Sequence, residues 1–173
     1  MSPEYILLGL LRREPRHGYD LAREFSAGTT LGEIIHLEPS MLYAYLKKLE
    51  QAGYIRATLQ SQGPRPPRRI FELSEAGADE LTRWLAEPVE RTRDLRLEFL
   101  LKLYIARDDE PEIAAGLIAE QHDLSERLVE SLARQIEDEQ DDFRRLVLEM
   151  RLEQNRALLN WLAKARMDVT TAS

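Results

Sequence analysis

The chain has 173 residues, a formal net charge of −7, 43% hydrophobic residues and 32% charged residues. This length accommodates one large domain or two small ones, and the composition is that of a folded protein with a strongly charged surface. Because the sequence contains no cysteine, disulfide bonds and thiolate metal sites are excluded.

Two helices are predicted at the start of the chain. The first covers residues 3–13, since Pro3 suits a first helical turn and the residue before Pro15 is disfavoured in a helix. Its apolar run is too short to cross a membrane and lacks the flanks of a signal peptide, so we expect a cytoplasmic protein without membrane contact. The second helix is predicted over about 17–27, with Gly28 as its stop.

A third helix has the clearest boundaries in the sequence. Pro39 fits its first position, and Gly53 fits the left-handed residue that follows a last turn. Leucines at 42, 46 and 49 repeat at spacings of four and three, which predicts one buried stripe. The remaining face mixes hydroxyl groups with cations and carries Ser40, Tyr43, Ala44, Lys47, Lys48 and Gln51.

A hairpin and a fourth helix are predicted next. Two strand-like runs, 54–59 and 69–73, flank a proline-rich segment that favours neither a helix nor a central strand. They predict a two-stranded hairpin with a long basic loop. Ser74 is expected to cap a helix that runs to about Ala86.

The second half of the chain is helical in pattern almost throughout. Helices are predicted over 95–106, 111–139 and 140–166, followed by a frayed tail at 167–173. Apolar side chains in the last helix recur in steps of three and four, which is typical of a helix that packs within the chain or across a dimer. The candidate interface residues are Phe143, Val147, Met150, Leu158 and Trp161.

The order of these elements indicates the fold. Three helices, a hairpin and a helix are typical of a winged helix-turn-helix, whose third helix enters the major groove while the hairpin reaches the adjacent backbone. We therefore expect a mainly α fold with a small β-hairpin wing. Its winged helix-turn-helix DNA-binding domain covers 1–88, and a helical dimerisation domain covers 91–173.

The distribution of charge supports DNA binding despite the negative total. Residues 40–70 contain six basic residues and one acidic residue, a local charge of +5. Cations placed there can neutralise phosphates, and the hydroxyls of Ser40 and Tyr43 can bond phosphate oxygens. The six basic residues are Lys47, Lys48, Arg56, Arg65, Arg68 and Arg69.

Three motifs in this region occur together at a characteristic spacing. They are His-Gly-Tyr at 17–19, Leu-Tyr-Ala-Tyr-Leu-Lys-Lys-Leu at 42–49, and Arg-Ile-Phe-Glu-Leu-Ser-Glu-Ala-Gly at 69–77. In these motifs and their order the chain resembles the PadR family of transcriptional regulators. Ser40, Met41 and Ala44 depart from the family pattern at the DNA-facing edge of the third helix, so they bear on the operator sequence.

The resemblance has consequences for partners. It implies the longer PadR type, in which a separate helical domain forms a two-fold dimer on a pseudo-palindromic operator in double-stranded DNA. It also implies release from DNA when a small, often aromatic, effector binds, as expected of a repressor. The resemblance assigns no residues to the effector; Trp84 and Trp161 either pack in the protein or stack against such a ligand.

Other functions find less support in the sequence. His36 and His122 have no second histidine at metal-ligand spacing, and the carboxylates at 137–142 spread around a helix instead of converging. We expect no cofactor, no metal site and no enzymatic activity. The main alternative is a helical protein-interaction module that uses the winged domain as a scaffold without binding DNA.

Overall fold

The computed structural model describes the backbone of residues 3–62, 65–109 and 111–171, and the side chains of these residues except 61–62, 65–67, 108–109 and 167–171. Helices dominate, and a small sheet lies within the first half of the chain. The elements are α1 (Tyr5–Arg13), β1 (Arg16–His17), α2 (Gly18–Arg23), α3 (Thr30–Ile34), α4 (Pro39–Gln51), β2 (Ile55–Gln62), β3 (Arg65–Leu73), α5 (Glu75–Ala86), α6 (Thr92–Asp94), a π-helical turn (Leu95–Phe99), α7 (Leu100–Asp109), α8 (Pro111–Asp138) and α9 (Asp142–Thr171).

The first half of the chain is organised around α1, which is buried along most of its length. The predicted leucine stripe of α4 packs in the same core, with no leucine more than 1% exposed. Pro39 occupies the first turn of α4, and Gly53 has a φ of +77° just after its end, so both predicted boundaries are confirmed. The buried leucines therefore fix the rotation of α4 about its axis, and the face opposite them is turned to solvent.

The region before α4 differs from the prediction. The second helix, predicted over 17–27, ends at Arg23, and an unpredicted helix α3 follows. Gly28 has a φ of +86° and reverses the chain, after which Thr29 caps α3 by accepting a hydrogen bond from the Gly32 N–H at 3.0 Å. The winged motif thus has one more short helix than expected, and α4 is the helix predicted to act as the recognition helix.

The wing is also longer than predicted. The antiparallel sheet has the order β1-β3-β2, and most of the segment expected to be a basic loop belongs to its strands. Pro66 and Pro67 are tolerated because β3 pairs there with β2 alone, and because the ladder is interrupted between Gln60 and Gln62. The part of β3 that precedes residue 69 was not predicted from the sequence, because these two prolines indicate a loop.

The second half is helical, as predicted. Helices α8 and α9 are joined by three residues and pack along each other, with Leu132, Leu148 and Leu152 buried between them. The tail expected to fray from 167 continues α9 to Thr171, and residues 172–173 lie outside the described part.

A second apolar cluster joins the π-helical turn to α8 and α9, through Phe99, Ile118 and Leu162 among others. Leu101 and Ile105 of α7 pack instead in the core of the winged half. The boundary between domains at residues 88–91 stays a prediction. Across the described chain, none of the helices combines the length and apolarity needed to cross a membrane.

Candidate nucleic-acid interface

The outward face of α4 carries the residues expected to contact DNA. Met41 and Tyr43 lie on this face and are 49% and 51% exposed. The buried leucines account for this, since they turn the opposite side of the helix to solvent. The exposed predicted contacts on α4 are Ser40, Met41, Tyr43, Ala44, Lys47 and Lys48.

A groove of about 570 Å³ runs between the recognition helix, the start of α2 and the wing. Tyr43 lines it from α4, and Arg68 and Phe71 line it from β3. Tyr19 lines it from α2 and is 70% exposed, so its phenol is available to a partner. Sequence reasoning missed Tyr19 as a candidate contact, although it belongs to the His-Gly-Tyr motif that carried the family resemblance.

The two arginines at the predicted edge of the wing are in different environments. The Arg69 guanidinium donates to both carboxylate oxygens of Glu50, at 2.7 and 2.9 Å, and lies 5.2 Å from the centre of the Phe71 ring. It therefore ties the wing to the last turn of α4. Arg68 lines the groove and forms no ion pair with any described side chain, and the side chain of Arg65 lies outside those described.

The two lysines of α4 are also unlike each other. Lys48 donates to the carboxylate of Glu4, a residue just before α1 that is only 4% exposed. This hydrogen bond and the negative charge of Glu4 raise the pKa of Lys48 above its usual value. Lys47 is exposed and pairs with no carboxylate among the described side chains. The basic region is thus less positive than its count of cations suggests, because Glu4 and Glu50 each hold one of them.

A second candidate site lies in the helical half. A cavity of about 910 Å³ opens between the π-helical turn and α9. The rings of Phe99 and Trp161 meet edge to face in its wall, 6.0 Å apart. Its lining combines apolar side chains, among them Phe99, Leu158 and Trp161, with charged ones, of which the cations Arg91, Arg93, Arg96 and Arg151 outnumber the carboxylate of Glu90.

The predicted interface residues of α9 therefore divide into two groups. Phe143, Val147 and Met150 are 75%, 44% and 64% exposed and form a row near the start of the helix. Leu158 and Trp161 lie nearer its end, in the wall of the cavity. Their shared spacing could be found in the sequence, but the split could not, because it depends on how the π-helical turn packs against α9.

The two tryptophans also differ. Trp84 is 3% exposed in the core of the winged half, and its indole donates to Glu98 at 3.1 Å. Lys102 lies beside it: its ammonium is 5.2 Å from the Trp84 ring centre and donates to the Glu87 carbonyl. Burial lowers the pKa of Lys102 below its usual value. Of the two tryptophans, then, only Trp161 lines the cavity.

One group of potential metal ligands was missed by the sequence reasoning. His122, Asp123 and Glu126 bring their ligand atoms within 4.8 Å of one another on α8. Both carboxylates are exposed, and such surface groups are common on charged helices. The cluster therefore carries no functional assignment.

Comparison with known proteins relates the two halves of the chain to known families. Residues 7–83 match the transcriptional regulator PadR-like family, and residues 95–168 match the family described as virulence activator alpha C-term. A negative transcriptional regulator, PadR of Bacillus subtilis, is 34% identical over 58% of this chain and 54% of its own. A probable transcriptional regulator of Mycobacterium tuberculosis is 34% identical over 54% of this chain and 48% of its own.

The chain thus spans about half the length of the curated relatives it matches. Among solved structures, Bacillus subtilis PadR in complex with operator DNA is 27% identical, covers 96% of this chain and 98% of its own, and has a TM-score of 0.47. These relatives are named as regulators and not as enzymes. The winged first half of the chain is thus a PadR-like transcriptional regulator domain over residues 7–83, and the helical second half matches a separate family model.

Proposed function

We propose that the chain is a ligand-responsive repressor that binds a pseudo-palindromic operator in double-stranded DNA as a homodimer. The observation that carries the proposal is the outward face of α4, where Met41, Tyr43 and Lys47 are exposed and Tyr43 lines a groove together with Arg68 of the wing. Hydroxyls and cations on such a face bond phosphates, and side chains at the start of the helix reach base edges. Acting on DNA would place the protein in the cytoplasm.

The electrostatics favour binding through this face alone. The chain as a whole carries −7, so a duplex is repelled by most of its surface. Cations that release counterions are concentrated near α4 and the wing, which orients the protein on the duplex. We therefore expect modest affinity for DNA of arbitrary sequence.

The exposed row on α9 supports the dimer. Phe143, Leu146, Val147 and Met150 follow one another along one face of the helix, and all of them are at least 44% exposed. A second copy of the chain would cover this row through a two-fold axis, because an isologous interface pairs the same surface with itself. Two recognition helices could then reach major grooves about 34–36 Å apart.

The cavity beside Trp161 supports the response to a ligand. Its volume of about 910 Å³ lies within the range of small-molecule sites, and its Phe99 and Trp161 rings suit an aromatic body. Arg91, Arg96 and Arg151 line it and pair with no carboxylate among the described side chains, so they favour an effector with an acidic group. An effector that prefers a different spacing of the two winged halves weakens DNA binding by linkage.

The experiment that tests the proposal is an anisotropy titration of the full chain at two salt concentrations. The duplexes are the DNA upstream of the chain's own gene and a scrambled sequence of equal length. We expect the upstream DNA to bind roughly 10³-fold more tightly, with affinity for both duplexes falling as salt increases. Equal affinity for the two duplexes, or an affinity that does not depend on salt concentration, would contradict the proposal.

The second candidate is the protein-interaction module, which the charge of −7 and the exposed row on α9 favour. This candidate predicts that the apolar face of α9 binds a partner protein and that the chain does not bind DNA. The same titration separates the two functions, because this candidate requires both duplexes to stay unbound.

A further inference from the structure

The ion pair between Glu4 and Lys48 joins two residues with opposite exposure. Glu4 is 4% exposed, whereas the side chain of Lys48 is 68% exposed. A carboxylate removed from water is costly unless a cation compensates it, while an exposed lysine is fully hydrated and needs no partner. The pair therefore satisfies a requirement of Glu4 and not of Lys48.

The position of the pair explains what it does for the recognition helix. Glu4 immediately precedes α1, the helix around which the winged core is built, and Lys48 lies in the last turn of α4. The ammonium thus ties the recognition helix to the core at a point 44 residues away in sequence. The pair thus adds to the leucine stripe in holding α4 in the rotation that leaves Tyr43 and Lys47 exposed.

We propose that Glu4 is a positioning residue for the recognition helix and that it withholds Lys48 from DNA phosphates. The part of this inference that concerns DNA rests on the proposed function, whereas the part that concerns the helix does not. Moving Lys48 to a phosphate would leave the Glu4 carboxylate buried without a cation, so the pair persists when DNA binds. The adjacent Lys47, which pairs with no carboxylate among the described side chains, contacts phosphate instead.

Lys47 makes a matched control, because it is the same residue type on the same helix. For the wild type, K47A, K48A, E4Q and the double variant E4Q/K48A, two quantities are measured on the full chain. One is the melting temperature. The other is the slope of log K against log salt concentration for a duplex of scrambled sequence, which reports how many phosphates are neutralised.

The expected results differ between the two lysines. K47A reduces the magnitude of the slope by about one unit and leaves the melting temperature unchanged. K48A leaves the slope unchanged but lowers the melting temperature by about 5 °C, because Glu4 loses its cation. In the double variant the melting temperature rises above that of K48A, since a neutral amide costs less to bury without a cation than a carboxylate does.

E4Q tests whether Glu4 does more than stabilise the fold, because a purely structural role would leave the slope of log K against log salt concentration unchanged. It releases Lys48, so the slope becomes steeper by about one unit and affinity for scrambled DNA rises. The inference is overturned if K48A lowers the slope as K47A does while E4Q leaves it unchanged. A wild type that binds no duplex would overturn the proposed function instead, and the melting temperatures of K48A and E4Q/K48A would still decide the role of Glu4.

Discussion

The ring of Tyr43 lies against the backbone of Gly18, so that a Cβ on residue 18 would come within 2.7 Å of the Tyr43 Cε1 atom. The glycine of the His-Gly-Tyr motif therefore leaves room for the Tyr43 ring of α4. Because Tyr43 is half exposed, its ring can move aside when residue 18 is enlarged, at the expense of the groove that it lines.

Replacing Gly18 with alanine should displace Tyr43 without unfolding the protein. Loss of the Tyr43 contact should weaken operator binding about tenfold, the effect of one hydrogen bond to a charged group. Anisotropy titrations of G18A, Y43A and the double variant check this. If the two changes act through the same ring, the double variant binds as weakly as Y43A; independent, additive losses would contradict the mechanism.

Removing the Ser74 hydroxyl should destabilise the winged half. Its Oγ accepts from the Gly77 N–H at 3.0 Å and donates to the Gly53 carbonyl at 2.7 Å, so it links the end of α4 to the start of α5. S74A should cost about 1–2 kcal/mol, or roughly 3–6 °C in melting temperature. T82A is the control, because the exposed Thr82 hydroxyl bonds only within α5; equal effects of the two variants would rule out the linking role.

A charge in the exposed row of α9 should weaken the proposed dimer. V147E places a carboxylate where the proposed partner copy covers apolar surface, and should weaken dimerisation more than about hundredfold. Sedimentation equilibrium checks the mass, and E149A, which lies off the row, is the control. If V147E associates as strongly as the wild type, the exposed row of α9 is not the dimer interface.

The cavity should distinguish acids from their neutral analogues. R151A should weaken the binding of small aromatic carboxylates about tenfold while leaving the corresponding amides unaffected, because a charged hydrogen bond is lost. W161A should weaken the binding of both, since it removes part of the apolar wall. Calorimetry with matched acid and amide pairs checks this, with K164A as an α9 control, and equal losses for acid and amide in R151A would contradict an acidic effector.

The buried Lys102 should make stability depend on pH. Its pKa is lowered by burial in the folded state, so the unfolded chain holds this proton more tightly than the folded chain. The contribution of Lys102 to stability is therefore smallest below the lowered pKa, and it grows as pH rises toward the ordinary lysine value of 10.5. Denaturation of the wild type and K102M over this range checks the sign: the wild type should gain stability relative to K102M as pH increases.

The recognition helix was predictable because each signal for it is local. The leucine stripe, Pro39 and Gly53 all lie within one segment and agree with one another. The wing was harder to predict, since two prolines indicate a loop unless one knows that β3 has a single partner at that end. Whether a proline is tolerated in a strand is decided by pairing, which no single segment reveals.

The charge balance at the interface was not predictable for the same reason. Counting residues 40–70 gives +5, but Glu4 lies outside that window and meets Lys48 only once α1 and α4 pack together. The split of the α9 stripe, with Trp161 at the cavity and Phe143 in solvent, also follows from packing between distant helices. Sequence periodicity identifies which side chains share a face, whereas the neighbouring elements decide what that face meets.

Since Glu4 reaches Lys48, the residues just ahead of α1 lie beside the face of α4 that is proposed to meet DNA. Any charge carried there acts within a Debye length of the duplex, about 8–10 Å at physiological salt. A basic extension at this end would add counterion release and strengthen binding to any sequence, while an acidic one would weaken it. Charge in the segment before α1 should therefore change the affinity for DNA of any sequence without altering the side chains of α4 that would read bases. For binding studies, a fusion tag is better attached at the other end of the chain.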